Sequence, residues 1–90
     1  MRSETERKIL GALADKYAID PDFCYMNFDG IARNAQVERS KVRRAVRSLA
    51  RKGYASYLSG LWTEDGEPAG SGYCITETGF RTYKEMAGNA

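Results

Sequence analysis

The sequence VERSKVRRAVRSLARKG, at residues 37–53, decides the fold of this chain. When its residues are placed at about 100° per position, the small aliphatic side chains share one side of a helix and the bases cover the opposite side. An apolar stripe of this kind predicts that the helix packs on a core, and Gly53 is typical of the residue that ends a helix. We therefore expect one amphipathic helix from about Glu38 to about Lys52. Its aliphatic side is formed by Val42, Ala45, Val46 and Leu49.

The charge of this helix is concentrated and almost all of one sign. Residues 38–52 contain seven bases and one acid, a net charge of +6, whereas the whole chain carries +2 and its other 75 residues therefore carry −4. Positions one turn apart, such as Arg39 and Arg43, pair like charges, although a helix face built for solubility usually mixes signs. This concentration indicates an element that binds a polyanion. A solvated surface helix is the alternative.

The position of each residue on the helix suggests which part of a DNA duplex it would contact. Arginine suits groove recognition because its planar fork can bind two acceptors on a guanine edge and can also bind phosphate. Residues in the N-terminal half of a recognition helix usually reach base edges, so Arg51 and Lys52 lie too far along the helix. We expect Ser40, Arg43, Arg44 and Arg47 to face bases, and Arg39 and Lys41 to bind flanking phosphates.

The N-terminal third of the chain predicts a helix, a short strand and a second helix. Ser3 and Glu6 have the spacing of a capping box, and apolar residues at helical spacing follow as far as about Tyr17. Residues 23–26 form a short apolar and aromatic run, long enough for one brief strand. Asn27 is the expected N-cap of the next helix.

The C-terminal half predicts a hairpin and a last helix. Residues 54–62 are aromatic and small, which favours a strand, and residues 72–75 can return as its partner. Residues 63–71 contain glycine and proline and predict the loop between the two strands. Thr76 is the expected N-cap of a final helix that Gly88 ends.

Three stretches of the sequence resemble a winged helix-turn-helix domain of the MarR type. Residues 28–35, FDGIARNA, resemble the first helix of the motif, and residues 37–54 resemble its recognition helix with the closing leucine and glycine. Residues 75–79, ITETG, are similar to the Leu-Thr-Glu-x-Gly sequence that opens the helix after the wing. The three stretches follow one another in the family's order and spacing, over residues 26–83.

The resemblance implies an α+β fold, a winged helix-turn-helix with a three-helix core, a β-hairpin wing and a C-terminal helix. It implies a single domain over residues 1–90, with the helix-turn-helix at about 28–52, the wing at about 54–75 and the C-terminal helix at about 76–87. The implied function is sequence-specific binding of double-stranded DNA by a small transcriptional regulator. The resemblance places five residues toward the major groove: Ser40, Lys41, Arg43, Arg44 and Arg47.

The sequence departs from the family pattern at several positions. Gln36 replaces the usual turn glycine, and Glu38 stands where serine or threonine usually caps the recognition helix. The loop of the wing carries Glu64, Asp65 and Glu67 in place of an arginine. MarR-type dimers are held by extra flanking helices, for which 90 residues leave no length, so we expect any homodimer to form through the first and last helices.

Composition excludes several classes of protein. Ninety residues, 42% of them hydrophobic and 29% charged, suit one ordinary soluble domain. No apolar run approaches the roughly 20 residues that span a bilayer, and the first residues lack the apolar segment of a signal peptide. We therefore expect a cytoplasmic protein without a membrane partner.

Catalysis and cofactor binding have little support in the sequence. The chain contains no histidine, the usual general base at neutral pH and the commonest metal ligand. Cys24 and Cys74 are fifty positions apart and lack zinc-site spacing. No glycine-rich phosphate loop occurs either. We expect no enzyme activity, no metal, no cofactor and no small-molecule ligand.

Two alternatives stay open at this stage. The first is a protein-interaction module, or a small phage- or plasmid-type accessory protein, that docks through the acidic wing with Tyr57 and Trp62, although we favour Trp62 as a core residue. The second concerns Cys24 and Cys74, which would approach each other if the strand near Cys24 pairs with the second strand of the wing. We favour two small buried thiols over a redox-sensing disulfide.

Overall fold

Four helices and one β-hairpin form the described part of the computed structural model, which comprises residues 4–21, 25–62 and 68–88. Of residues 59–62, 68–71 and 87–88 only the backbone is described. The elements in chain order are α1 (Glu4–Ile19), α2 (Phe28–Ala35), α3 (Arg39–Arg51), β1 (Ala55–Trp62), β2 (Pro68–Ile75) and α4 (Glu77–Gly88).

The core lies between the first three helices and the base of the hairpin. The aliphatic side of α3 is buried as its periodicity predicts, and burial of each large aliphatic side chain contributes about 1.5–3 kcal/mol. Since this side is fully used in packing, the charged side of α3 must face outward. Among the described residues, the largest fully buried side chains are Ile9, Leu10 and Leu13 of α1, Ile31 of α2, and Val42, Val46 and Leu49 of α3.

The two strands pair antiparallel, with Ala55 opposite Ile75 and Tyr57 opposite Tyr73. Met26 adds an isolated bridge to the hairpin, because its backbone N–H and C=O both bond to Tyr73 at 2.9 Å. The brief strand predicted at residues 23–26 is thus a single bridging residue in its described part. Residues 23 and 24 lie outside the described residues.

Side-chain caps fix the first turns of α2 and α4. The Gly30 N–H donates to Oδ1 of Asn27 at 2.7 Å, and the Gly79 N–H donates to Oγ1 of Thr76 at 3.0 Å. Both predicted caps are confirmed. The Thr76 hydroxyl also donates to the Gly53 carbonyl at 2.6 Å, which ties the start of α4 to the end of α3.

The first helix differs from its predicted length. It continues two residues beyond Tyr17, to Ile19. Ile19 is 80% exposed and adds nothing to the apolar periodicity, which is why the pattern ends early. The Tyr17 ring packs against Phe80 with centroids 4.9 Å apart and joins α1 to α4. Ser3, the predicted N-cap, lies outside the described residues.

Candidate nucleic-acid interface

The basic side of α3 is exposed along its whole length. Ser40, Arg43, Arg44 and Arg47, the residues expected to face bases, all lie on this exposed surface. In residues 4–21, 25–62 and 68–88, no acid approaches within 4.0 Å of five of the bases. These five unpaired bases are Lys41, Arg43, Arg44, Arg47 and Arg51.

Arg39 differs from these bases because it has an acidic partner within the protein. Its Nε donates to Oδ1 of Asp29, which lies on α2. This ion pair could not be predicted from helical spacing, because the spacing relates residues of one helix and the two partners lie on different helices. Both side chains are exposed, and an exposed ion pair contributes only about 0.2–1 kcal/mol. The pair can therefore exchange for a phosphate, and a phosphate contact by Arg39 stays a prediction.

Lys52 is paired too, with a carboxylate that anchors the C-terminal end of α3 to α1. Its Nζ lies 3.1 Å from Oε1 of Glu6, which is buried. Burial by itself would raise the pKa of Glu6, but hydrogen bonds to Ser48 and Lys52 and the charge of Lys52 outweigh it and lower that pKa. The ionised carboxylate of Glu6 thus ties the C-terminal end of α3 to α1.

The turn between α2 and α3 contains both departures seen in the helix-turn-helix sequence. Gln36, in the place of the family's glycine, has φ 56° and ψ 47°, the left-handed region. Glu38 begins α3 without a side-chain cap, although its carbonyl accepts from the Lys41 N–H at 2.9 Å. The backbone of the turn is thus the one that glycine would favour, but a glutamine adopts it.

Two grooves flank α3, and each is lined by some of the five unpaired bases. One groove, of about 520 Å³, lies between α3 and the start of α1 and is lined by Ser40, Lys41, Arg44 and Arg51, among others. The other groove, of about 480 Å³, lies between α3 and the hairpin. Helical periodicity alone did not predict this division, because it depends on what packs beside each flank.

Arg43 and Arg47 line the second groove together with three aromatic residues, Phe28, Tyr57 and Tyr73. The sequence indicated the two arginines and, in the protein-docking alternative, Tyr57, but it did not predict that the three rings lie beside the arginines. The tyrosines come from opposite strands and are paired by the strand register, whereas Phe28 comes from α2 and reaches them by packing against Tyr73.

Several solved structures share this architecture. A protein of Ralstonia eutropha JMP134, described only as a candidate DNA-binding protein, is 19% identical, with a TM-score of 0.74 over 96% of this chain and 98% of its own. ZitR of Lactococcus lactis, a zinc-responsive MarR family member, is 17% identical, with a TM-score of 0.72 over 98% of this chain and 52% of its own. MepR of Staphylococcus aureus, bound to ethidium bromide, is 19% identical, with a TM-score of 0.68 over 96% and 55%.

The fold is the winged helix-turn-helix of MarR-type proteins. The chain spans about half the length of ZitR and MepR but nearly all of the Ralstonia protein. No protein-family model matches the sequence, and the comparison with curated protein sequences found no match. In this winged helix, α2 and α3 form the helix-turn-helix, and β1 and β2 form the wing.

Only part of the wing is described. Of the residues that carry the protein-docking alternative, Glu64, Asp65, Glu67 and the side chain of Trp62 lie outside the described residues, whereas Tyr57 is described and exposed. Cys74 on β2 is buried and disulfide-bonded, so the favoured interpretation of free thiols is wrong for this residue. Cys24 lies outside the described residues.

The described ranges hold no group of three or more metal-ligating His, Cys, Asp or Glu residues. None of the helices within them combines the length and the apolar character that crossing a membrane requires.

Proposed function

We propose that the protein binds double-stranded DNA with α3 in the major groove and acts as a transcriptional regulator. One observation carries this proposal. Five exposed bases without acidic partners among the described residues project from a helix whose opposite side is fixed in the core. Neutralising phosphates with such bases releases counterions from DNA, which is the main source of sequence-independent affinity.

The dimensions of α3 suit a major groove. Its 13 residues form a helix of about 20 Å, at about 1.5 Å per residue, and a groove about 12 Å wide admits one helix. In this proposal Arg44, with Ser40 one turn before it, faces bases, and Lys41 binds phosphate. Arg39 can join the phosphate contacts by exchanging its exposed pair with Asp29.

The similar structures agree with this role. MepR is a transcription regulator of a multidrug efflux pump in Staphylococcus aureus, and ZitR is a zinc-responsive MarR family member. Both share the placement of a helix-turn-helix and wing. We propose the same kind of activity for this protein, namely DNA binding and regulation, without a catalytic step.

Binding to a labelled duplex of random sequence, followed by fluorescence anisotropy, tests the proposal. The double variant Arg44→Gln/Arg47→Gln should weaken binding by at least about tenfold, because two DNA contacts are lost. The matched control, Arg81→Gln/Lys84→Gln, removes the same charge from exposed positions on α4 and should retain binding. Equal losses for the two variants, or no duplex binding by the unmodified protein, would contradict the proposal.

A further inference from the structure

The groove between α3 and the wing has one charged wall and one aromatic wall, and we name it the aromatic–arginine cleft. Its charged wall is formed by Arg43 and Arg47 and its aromatic wall by Phe28, Tyr57 and Tyr73. The Tyr73 ring stacks on Phe28, with centroids 6.1 Å apart, and meets Tyr57 at 5.1 Å. The three rings therefore form one continuous apolar surface.

Core packing accounts for the positions of Tyr73 and Phe28 but not for that of Tyr57. Tyr73 is only 6% exposed, and Phe28 packs against the core. Tyr57 is 54% exposed, at the rim of the cleft. An apolar ring left this open beside two bases gains free energy only when a partner covers it.

The charged wall indicates the chemistry of that partner. Arg43 and Arg47 are one helical turn apart, and no acid of the described ranges pairs with either. Their mutual repulsion is relieved by an anion placed between them, and guanidinium groups match the geometry of phosphate. A partner that fits both walls has a phosphate for the charged wall and, next to it, an apolar ring, flat or puckered, for the aromatic wall.

We propose that the aromatic–arginine cleft holds one nucleotide unit of the DNA backbone. Arg43 and Arg47 bind the phosphate, and the Tyr57 ring covers the adjacent deoxyribose. This inference rests on the proposed function, and it assigns these two arginines to the backbone instead of to bases. The arrangement also fits the position of the cleft, because a DNA strand bordering the groove that holds α3 passes beside the wing.

Variants on β1 test the contact by duplex affinity and by its salt dependence. Tyr57→Ala should weaken binding about fivefold, with an unchanged salt slope because no charge is lost, whereas Tyr57→Phe should retain the affinity because it keeps the ring. Arg43→Gln should weaken binding and make the log–log salt slope shallower, by less than about 0.9, because Arg47 still binds the same phosphate. Leu58→Ala is the matched control: its side chain is 44% exposed and points to the opposite face of the strand.

The outcomes separate this inference from the proposed function. If the unmodified protein binds duplex and Arg44→Gln/Arg47→Gln weakens it, while Tyr57→Ala binds normally, the cleft assignment is wrong and the proposed function stands. A fivefold loss for Leu58→Ala or for Tyr57→Phe would also overturn the assignment. Thermal melts by circular dichroism show that each variant is folded. If the unmodified protein binds no duplex, both proposals fail.

A free nucleotide offers the same phosphate and sugar as a DNA strand. Titration of the unmodified protein with deoxyadenosine monophosphate, followed by NMR shifts of residues around the cleft, distinguishes these sources. Saturation only at millimolar concentrations supports the strand, because a single unit lacks the neighbouring contacts. Micromolar binding would assign the cleft to a free nucleotide and overturn the inference.

Discussion

Gln36 shows how one residue can carry a conformational cost inside a fold-defining turn. Its left-handed backbone, φ 56°, brings its N–H to the Ala32 carbonyl and ends α2. We predict that Gln36→Gly raises the free energy of unfolding by roughly 0.5–1 kcal/mol, since only glycine adopts this region freely. Urea denaturation followed by circular dichroism measures the change. Gln36→Ala keeps Cβ and should show no such gain, and a loss of stability for Gln36→Gly would contradict the prediction.

Gly79 is required for a close approach of two elements and not for an unusual backbone angle. A Cβ built on Gly79 would overlap the Tyr54 carbonyl oxygen and lie 2.9 Å from Cγ1 of Ile75. We predict that Gly79→Ala lowers the free energy of unfolding by about 1–3 kcal/mol, as overpacking does. Thermal unfolding measures it. Thr78→Ala, at the exposed neighbouring position, should change stability by less than about 0.5 kcal/mol. Equal effects at both positions would disprove a packing role.

Arg44 and Lys41 should differ in what they contribute to binding, if the proposed function is right. Arg44→Ala should reduce discrimination between a selected sequence and random duplex, with about 1–3 kcal/mol lost on the selected sequence. Lys41→Ala should weaken both duplexes by the same factor, because a phosphate contact carries no sequence information. Competition binding with the two duplexes gives both ratios. A selective loss for Lys41→Ala would reverse the assignment.

At the scale of elements, Glu6 and Lys52 connect α1 to the end of α3. The pKa of Glu6 is lowered in the folded protein, so its contribution to stability is complete above the unfolded pKa and is lost as the pH falls through the folded pKa. We predict that Glu6→Gln lowers the free energy of unfolding at neutral pH by about 1–3 kcal/mol and that the difference disappears in acid. Urea titrations across acidic pH measure this.

The matched control for Glu6 is another glutamate of α1. Glu4 pairs with Lys8 at 3.8 Å but is exposed. Glu4→Gln should therefore cost less than about 0.5 kcal/mol, as exposed pairs do. A Glu6→Gln difference that persists at low pH would show that the carboxylate charge is not its source.

Elements whose apolar residues are all buried could be predicted from sequence. Every residue on the aliphatic side of α3 is buried, so the helical spacing of apolar residues in the sequence marks the whole helix. The end of α1 was missed because Ile19 faces solvent. In the described part of the predicted strand at residues 23–26, only Met26 pairs; its partner is Tyr73, 47 positions away, and no local pattern encodes that pairing.

The same distinction applies to the candidate site. The exposure of the α3 bases follows from the helix period alone. The pair between Arg39 and Asp29 does not, because it joins two helices through the geometry of their turn. The aromatic wall with Tyr57 and Tyr73 depends on strand register, which a stretch of small and aromatic residues does not fix.

At the scale of the whole molecule, charge is separated between α3 and the remainder. The segment from residue 38 to 52 carries +6 and the other 75 residues carry −4. A polyanion is therefore attracted to one face and repelled by the rest, which orients the protein before contact. Arg39 and Lys52 have acidic partners, whereas five bases of α3 have none among the described residues and can neutralise phosphates without breaking an ion pair.

These five bases set the salt dependence of binding. At about −0.9 per phosphate, the log–log slope of duplex affinity against salt should be about −4 to −5 if each of the five bases neutralises its own phosphate, and shallower if Arg43 and Arg47 share one phosphate. Arg44→Gln/Arg47→Gln should make the slope shallower by about 2 if both arginines lie on phosphates, and by less if Arg44 contacts only bases. Arg81→Gln/Lys84→Gln should leave it unchanged, although it alters net charge equally. Anisotropy titrations at several salt concentrations measure all three slopes. A slope near zero for the unmodified protein would mean that α3 does not neutralise DNA.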